Sequence, residues 1–370
     1  MNGILTILFL TFFVVLHEFG HFLSARRSKI AVSEFFVGFG PKVFSFTKAG
    51  TEYGLKAIPL GGYVKIPGMD ESEDTSGYEP SELFHNAKWT TKFYIAISGI
   101  LVNFLTAWLI IFGILSTNGV NIPTLEIANT GDSVEGNVNS PSIEAGLLPG
   151  DKIVTFSGDA VTTWDELVSI IEKNPGEEVT ITYLRGGNLI DSNTILETRI
   201  LNSQEIGYLG VTPTIRNEKI GVITAVKNTT VLEAQMTVAA VEGIITLFSP
   251  ENIKTLLGTY TGQTIPDEVR PLSPIGLAQA GNQIAEDSYV NLFSLLAFVN
   301  IFLAVFNALP FIPLDGGRAV LALVEGVTGK KIPDRKLYPI AAVVVGVFIF
   351  LGITACLLYT SDAADDTWGG

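Results

Sequence analysis

Long apolar runs alternate with polar stretches along the chain, and the runs set the expected architecture. A hydrocarbon core takes about 20 apolar residues in helical form. Four runs reach or approach that length. They are Ile4 to about Ala25, about Lys92 to Leu115, about Tyr289 to Leu309, and a run that begins near Leu337. The first has no basic leader and no small-residue cleavage site, so it reads as a span and not as a removed signal. A fifth stretch, Thr229 to Phe248, contains Glu233 and Glu242. An acid at the bilayer centre costs about 2.5–3.5 kcal/mol. Its apolar residues Val231, Leu232, Val238, Val241, Ile245 and Phe248 suit a helix lying on the membrane surface. Between the second and third spans, about 121 to 216, the pattern becomes globular. It predicts a helix over 163–173 and an alternating strand over 178–184. Residues 53–66 alternate and turn at Gly61-Gly62, which predicts a β-hairpin.

Composition supports the membrane reading. The 370 residues are 47% apolar and 16% charged, against about 25% charged for a soluble domain. The net charge of −14 argues against nucleic acid as a partner. Basic residues set the orientation. Arg26, Arg27 and Lys29 follow the first span, Lys88 and Lys92 open the second, and Arg318, Lys330, Lys331, Arg335 and Lys336 separate the third from the fourth. These segments are expected in the cytoplasm. Residues 118–287 carry 22 acidic and 9 basic side chains and are expected outside. The single cysteine, Cys356, rules out an internal disulfide. It opens the run CLLYTSDAADD, which resembles a translated sequencing adapter, so 356–370 are set aside from fold reasoning.

The candidate chemistry sits in the first span, in His17-Glu18-Phe19-Gly20-His21. Residues i and i+4 share one helical face, so both imidazoles can reach one ion. Zinc accepts nitrogen ligands, and Glu18 suits a general base acting on water. Two histidines and a glutamate within a span mark function by default. A catalytic zinc takes three protein ligands and leaves one position open. His85 lies in a polar loop. Asp315, in NALPFIPLDGGR from Asn307 to Arg318, is the better third ligand. The histidines lie about 20–25 Å along the first span, in its cytoplasmic third, and Asp315 follows a span running the same way.

Together, HEFGH in the first span, Gly38-Phe-Gly-Pro41 and NALPFIPLDGG resemble the site-2 proteases, intramembrane zinc metalloproteases of the RseP type in peptidase family M50. The likeness runs from Ile4 to about Ile353. It implies zinc held by His17, His21 and Asp315, Glu18 as catalytic base, and Asn307 in substrate contact or site shaping; a plain helix-end cap is the alternative for Asn307. In the family, the segment around Gly61, Gly62 and Tyr63 resembles a loop that dips toward the active site, where a strand edge can hold an unwound substrate by backbone pairing. Gly99-Ile-Leu-Val-Asn103-Phe104 resembles a further family motif, with Ile100 where proline is common. Asn103 either takes part or hydrogen-bonds a neighbouring helix. Ser140 to Ile153 resembles the PDZ signature of bacterial proteases, and one such domain is evident.

The expected whole is a polytopic α-helical protein of the bacterial inner membrane with four transmembrane helices, a membrane-associated β-hairpin loop and an inserted extracytoplasmic α+β PDZ domain. Its expected parts are 1–117 (spans one and two, HExxH and hairpin), 118–216 (PDZ), 217–287 (linker with the surface helix), 288–355 (spans three and four) and the tail. The expected partners are lipid, a substrate with a transmembrane segment (an anti-sigma-like regulator or a remnant signal peptide), and a peptide ligand for the PDZ domain. A non-catalytic zinc-binding adaptor is the rival, but a binding site has no need of Glu18. A metal transporter would need further polar residues in spans two and four, where they are sparse.

Overall fold

The computed structural model describes residues 2–70, 74–131, 140–201, 204–258 and 288–368. The chain divides into two compact units. One joins 1–115 with 222–370, and the other is 116–221.

The first unit is built from apolar helices. They are α1 (Asn2–Arg27), α2 (Trp89–Asn118), α5 (Val222–Leu247), α6 (Pro250–Gly258), α7 (Tyr289–Asn307), α8 (Asp315–Thr328) and α9 (Asp334–Trp368). The side chains of the tail set aside above lie outside the described residues. Inside a bilayer no hydrophobic force drives helices together, so close packing and polar contacts must hold them. Glycine provides the closest approach. A Cβ at Gly20 of α1 would stand 2.7 Å from the Ser98 carbonyl of α2, so the two backbones touch there. Phe13 of α1 packs on Leu292 and Leu296 of α7.

Among the described residues, five helices are long and apolar enough to cross a membrane, by length and composition, where four spans were expected. The fifth candidate is α5, and one of its faces packs on other helices, which its apolar pattern did not suggest. Its buried residues are Ala225, Thr229, Ala240 and Ile244. Ala240 and Ile244 pack with Ala107 and Ile111 of α2 and Ala297 and Ile301 of α7. Val231, Leu232, Val238, Val241 and Ile245 face outward. Small residues at the contact, which allow close approach, decided the face.

A second correction concerns the hairpin. Residues 53–66 do not pair with themselves. Two long strands, β1 (Glu34–Lys48) and β2 (Thr51–Lys65), turn at Ala49-Gly50 and pair antiparallel. Gly61, at φ +87°, bends β2 so that both of its halves flank the start of β1: Tyr53 and Val64 each lie beside Phe35, and Tyr63 returns to Phe36. The segment 62–65 is therefore an outer edge.

The second unit has the sheet order β10-β3-β4-β6-β7, built from Val211–Glu218, Val120–Thr130, Lys152–Phe156, Glu178–Arg185 and Asn188–Ile195. The two-residue β5 (Asp159–Ala160) pairs with β4, and β8 (Glu197–Leu201) pairs with β9 (Gln204–Tyr208). Besides the single turn α3 (Pro141–Glu144), one amphipathic helix, α4 (Trp164–Lys173), covers the core. Thr163 caps it by accepting the Glu166 N–H, and Leu167 and Ile171 face inward. Ile127, Leu147, Ile153, Phe156 and Ile181 are buried, at about 1.5–3 kcal/mol each. The turn Gly146 to Asp151 is held by its last residue: Asp151 accepts the Leu148 N–H and both arms of Arg185, at 2.7 and 2.6 Å. Burial alone would raise the Asp151 carboxyl; Arg185 and the Leu148 N–H overcome it and hold it below the usual carboxylate range.

Candidate metal centre

The site forms where α1, α2 and α8 meet. His17 and His21 project from adjacent turns of α1 and are buried. Asp315 is the first residue of α8. The separations are 3.3 Å between the two Nε2 atoms, 3.0 Å from His17 Nε2 to Asp315 Oδ2, and 3.1 Å from His21 Nε2 to the same oxygen. Among the described residues these three form the one group able to hold a metal ion. His85 is not part of it.

The triangle fits zinc on two grounds. An ion bonded tetrahedrally at about 2.0 Å holds its donors about 3.3 Å apart, close to the separations found. The second ground is the lone pairs. His21 Nδ1 donates to the Ile95 carbonyl of α2 at 2.7 Å. That bond fixes the tautomer and leaves the lone pair of neutral His21 on Nε2. A nitrogen lone pair and a carboxylate oxygen aimed at one point repel each other unless a cation lies between them.

Backbone geometry makes the convergence possible. A Cβ at Gly99 of α2 would stand 2.7 Å from His17 Cε1 and 2.8 Å from His17 Nε2, and closer still to His21 Nε2. Gly99 is thus the floor under both imidazoles. At the other wall, a Cβ at Gly316 would stand 2.5 Å from the Leu309 carbonyl, and one at Gly317 2.6 Å from the Phe311 carbonyl. Only glycines let α8 fold back on the turn after α7 and bring Asp315 inward.

Glu18 is partly buried, and its Oε2 accepts the Val64 N–H of β2 at 3.1 Å. The edge segment therefore lies against the HEFGH turn of α1. Gly61 and Gly62 lie beside Val14 and Val15, one turn earlier: their Cβ positions fall 3.6 and 3.4 Å from those side chains. The Tyr63 hydroxyl is tied to Glu34 Oε2 at 2.5 Å, and its ring stacks on Phe36. Asn307 ends α7, and its amide donates to the Leu303 carbonyl at 3.0 Å, a bond within its own helix. Asn103 is buried; its backbone carbonyl accepts the Asn300 amide of α7 at 2.7 Å, a bond that does not use the Asn103 side chain. Sequence reading found the three polar ligand candidates and Glu18. It missed the Ile95 carbonyl, the Val64 N–H and the packing role of Gly99, for which the sequence offers only a glycine within an apolar run.

The sequence pattern of peptidase family M50 matches residues 5–353. The chain is similar to the membrane metalloprotease ARASP of Arabidopsis thaliana chloroplasts, at 31% identity over 93% of this chain and 75% of that protein. It is similar to the regulator of sigma-W protease RasP of Bacillus subtilis, at 28% identity over 87% of this chain and 89% of RasP. A protein of Nostoc sp. whose name includes zinc metalloprotease is 29% identical over 90% of this chain and 89% of its own length.

Proposed function

The chain belongs to peptidase family M50 and is an integral membrane zinc metalloprotease; from that premise we propose that it cuts a single-pass membrane protein at a site held by His17, His21 and Asp315. The carrying observation is the triangle of 3.0–3.3 Å among two imidazole nitrogens and one carboxylate oxygen, contributed by stretches 294 residues apart.

When bound, zinc supplies Lewis acidity to the scissile carbonyl and to the attacking water. The chain's own groups do the rest. Glu18 takes a proton from water as its oxygen bonds to the carbonyl carbon, then delivers it to the amide nitrogen as the C–N bond breaks. Ile95 holds His21 in the ligating tautomer. A helical substrate shields its peptide bonds with its own hydrogen bonds, so it must unwind. The edge at Gly61, Gly62 and Tyr63 can pair with the unwound segment, and its contact with Glu18 through Val64 supports a scissile bond delivered there. Asn307 shapes the end of α7, ahead of the turn that leads to Asp315.

The substrate class is an anti-sigma-like regulator or a remnant signal peptide. The name of the B. subtilis relative, a regulator of sigma-W, supports a regulator. Charge supports an extracytoplasmic PDZ domain at 118–216 and a site near the cytoplasmic face. Parity supports four crossings. For Asp315 to meet His17 and His21, α7 must run in the same direction as α1, so the chain crosses an even number of times between α2 and α7. A full crossing by α5 needs a second within 248–287, a stretch that holds Glu251, Lys254, Asp267, Glu268, Arg270, Glu286 and Asp287. We therefore read α5 as a helix packed on the bundle without a complete crossing.

The test uses purified protein and a labelled single-span substrate. Glu18→Gln should abolish cleavage while keeping one zinc per chain; Asp315→Ala should lose both. Cleavage by Glu18→Gln at the parent rate would remove Glu18 from the mechanism.

A further inference from the structure

The helix that presents Asp315 is held at both ends. Its first turn lies at the histidines. Its last turn ends at Gly329 (φ +66°), whose N–H closes on the Glu325 carbonyl. One face, carrying Asp315, Ala319, Ala322 and Gly326 at spacings of four, three and four, turns inward, with Ala319 and Ala322 buried. Glu325 lies beside this stripe, about 15 Å from Asp315 along the axis. There Glu325 Oε2 meets Lys92 Nζ of α2 at 2.7 Å. The Trp89 indole fills the space over Gly326, where a Cβ would stand 2.6 Å from the ring.

Lys92 is 7% exposed, on a helix that enters the membrane. Burying that charge is costly and its partner must be well aligned, so a mere surface contact is a poor account of it. Its place on α2 suggests a better one. Lys92, Ile95 and Gly99 recur at spacings of three and four, on one face. That face therefore carries three fittings in two turns: Gly99 seats both imidazoles, Ile95 orients His21, and Lys92 grips α8. Apolar contacts along an alanine-rich stripe tolerate rotation or a slip by one turn. A single buried ion pair does not, because any slip strands two charges.

We infer that Lys92 and Glu325 are a positioning pair that sets the rotation and height of α8 on α2, so that Asp315 is presented to His17 and His21. The inference rests on Asp315 being the third ligand, as proposed above.

The test is metal affinity, read on full-length protein in detergent by competition between the site and a chelator, with Co2+ as probe. Lys92→Met and Glu325→Gln should each weaken binding about 10- to 100-fold, the range for groups that orient metal ligands. They should also lower kcat on a single-span substrate at unchanged KM and alter the Co2+ visible spectrum. The exchange Lys92→Glu with Glu325→Lys should restore both. A purely structural role predicts lower thermal stability with parent affinity and spectrum; that result overturns the inference. Should the single variants fail to fold, Lys92→Arg and Glu325→Asp decide. Both keep the charges and change the pair's length, so parent affinity in both overturns the inference and weakened affinity supports it. Asp315→Ala separates the two readings. If it binds Co2+ like the parent, the ligand assignment falls and the positioning pair falls with it. If it loses Co2+ while the Lys92 and Glu325 variants bind normally, the positioning pair alone falls.

Discussion

Gly99→Ala adds one methyl group at the floor of the site. That methyl would stand 2.8 Å from His17 Nε2 and 2.7 Å from His17 Cε1. Comfortable contact needs about 3.5 Å, so the His17 ring must retreat by about 0.7 Å, and His21, whose Nε2 lies closer still, by more. Metal sites tolerate donor displacements of about 0.2 Å. The helices cannot separate to make room, because Gly20 is already in contact with the Ser98 carbonyl one residue away. Overpacking of this kind costs about 1–3 kcal/mol. If the strain is relieved by moving the histidines, metal binding weakens about 5- to 150-fold, at tenfold per 1.4 kcal/mol. The assay is zinc retention against a graded chelator, with thermal unfolding measured in parallel. Gly113→Ala, in the same helix with nothing within 4 Å of its Cβ, is the control; it should bind zinc normally and stabilise the helix by about 0.5–1 kcal/mol. A Gly99→Ala protein with parent zinc affinity, parent cleavage and parent melting would refute the reasoning, because the imidazoles could not then lie where the triangle requires.

Other outcomes follow from single contacts. Val64→Pro removes the N–H that Glu18 accepts; with zinc retained, kcat should fall about 10- to 150-fold, since a charge-assisted hydrogen bond is worth about 1.5–3 kcal/mol. Gly316→Ala places a Cβ 2.5 Å from the Leu309 carbonyl and should cost zinc binding more than Ala319→Gly does, read in the same chelator series. Asp151→Asn should destabilise the 116–221 unit, measured by differential scanning calorimetry of the full chain. The Asp151 carboxyl is held below its unfolded value, so its stabilisation is present above about pH 4 and is lost as pH falls through the lower folded value. Parent protein should therefore lose stability on acidification more steeply than Asp151→Asn.

Much of the architecture was readable because its signals are local. Apolar runs gave α1, α2, α7 and the start of α9, and Thr163 with its amphipathic spacing gave α4 within a residue. Which face of α5 is buried was not legible, for an identifiable reason. A hydrophobic pattern reports which side chains avoid water, and inside a membrane both lipid and protein are dry. Val231 and Val241 are exposed, while Ala240 and Thr229 are buried, which the pattern ranks the other way. The hairpin misreading is similar. Alternation over 53–66 is real, but it does not say which strand is the partner; β1 lies between the two halves of β2.

The site divides along the same line. His17, Glu18, His21 and Asp315 stood out as candidates because each carries chemistry that is expensive in a membrane and so is rarely there by accident. The groups that make them converge are invisible to that logic. A carbonyl at Ile95, an N–H at Val64 and a missing Cβ at Gly99 are features of the backbone, and any residue type but one could supply the first two. Gly99 is the exception, and it can be read backwards. Gly20 lies within HEFGH itself, between its two histidines, and touches α2 at Ser98, the residue next to Gly99. Two helices that meet glycine to backbone at the level of a metal motif have no space between them for a third side chain. A third ligand, as proposed, then has to enter from beyond the helix pair, on a segment that can fold back tightly. Asp315, followed by two glycines that press on the turn before it, is such a segment, and the depth argument that singled it out was also an argument about packing.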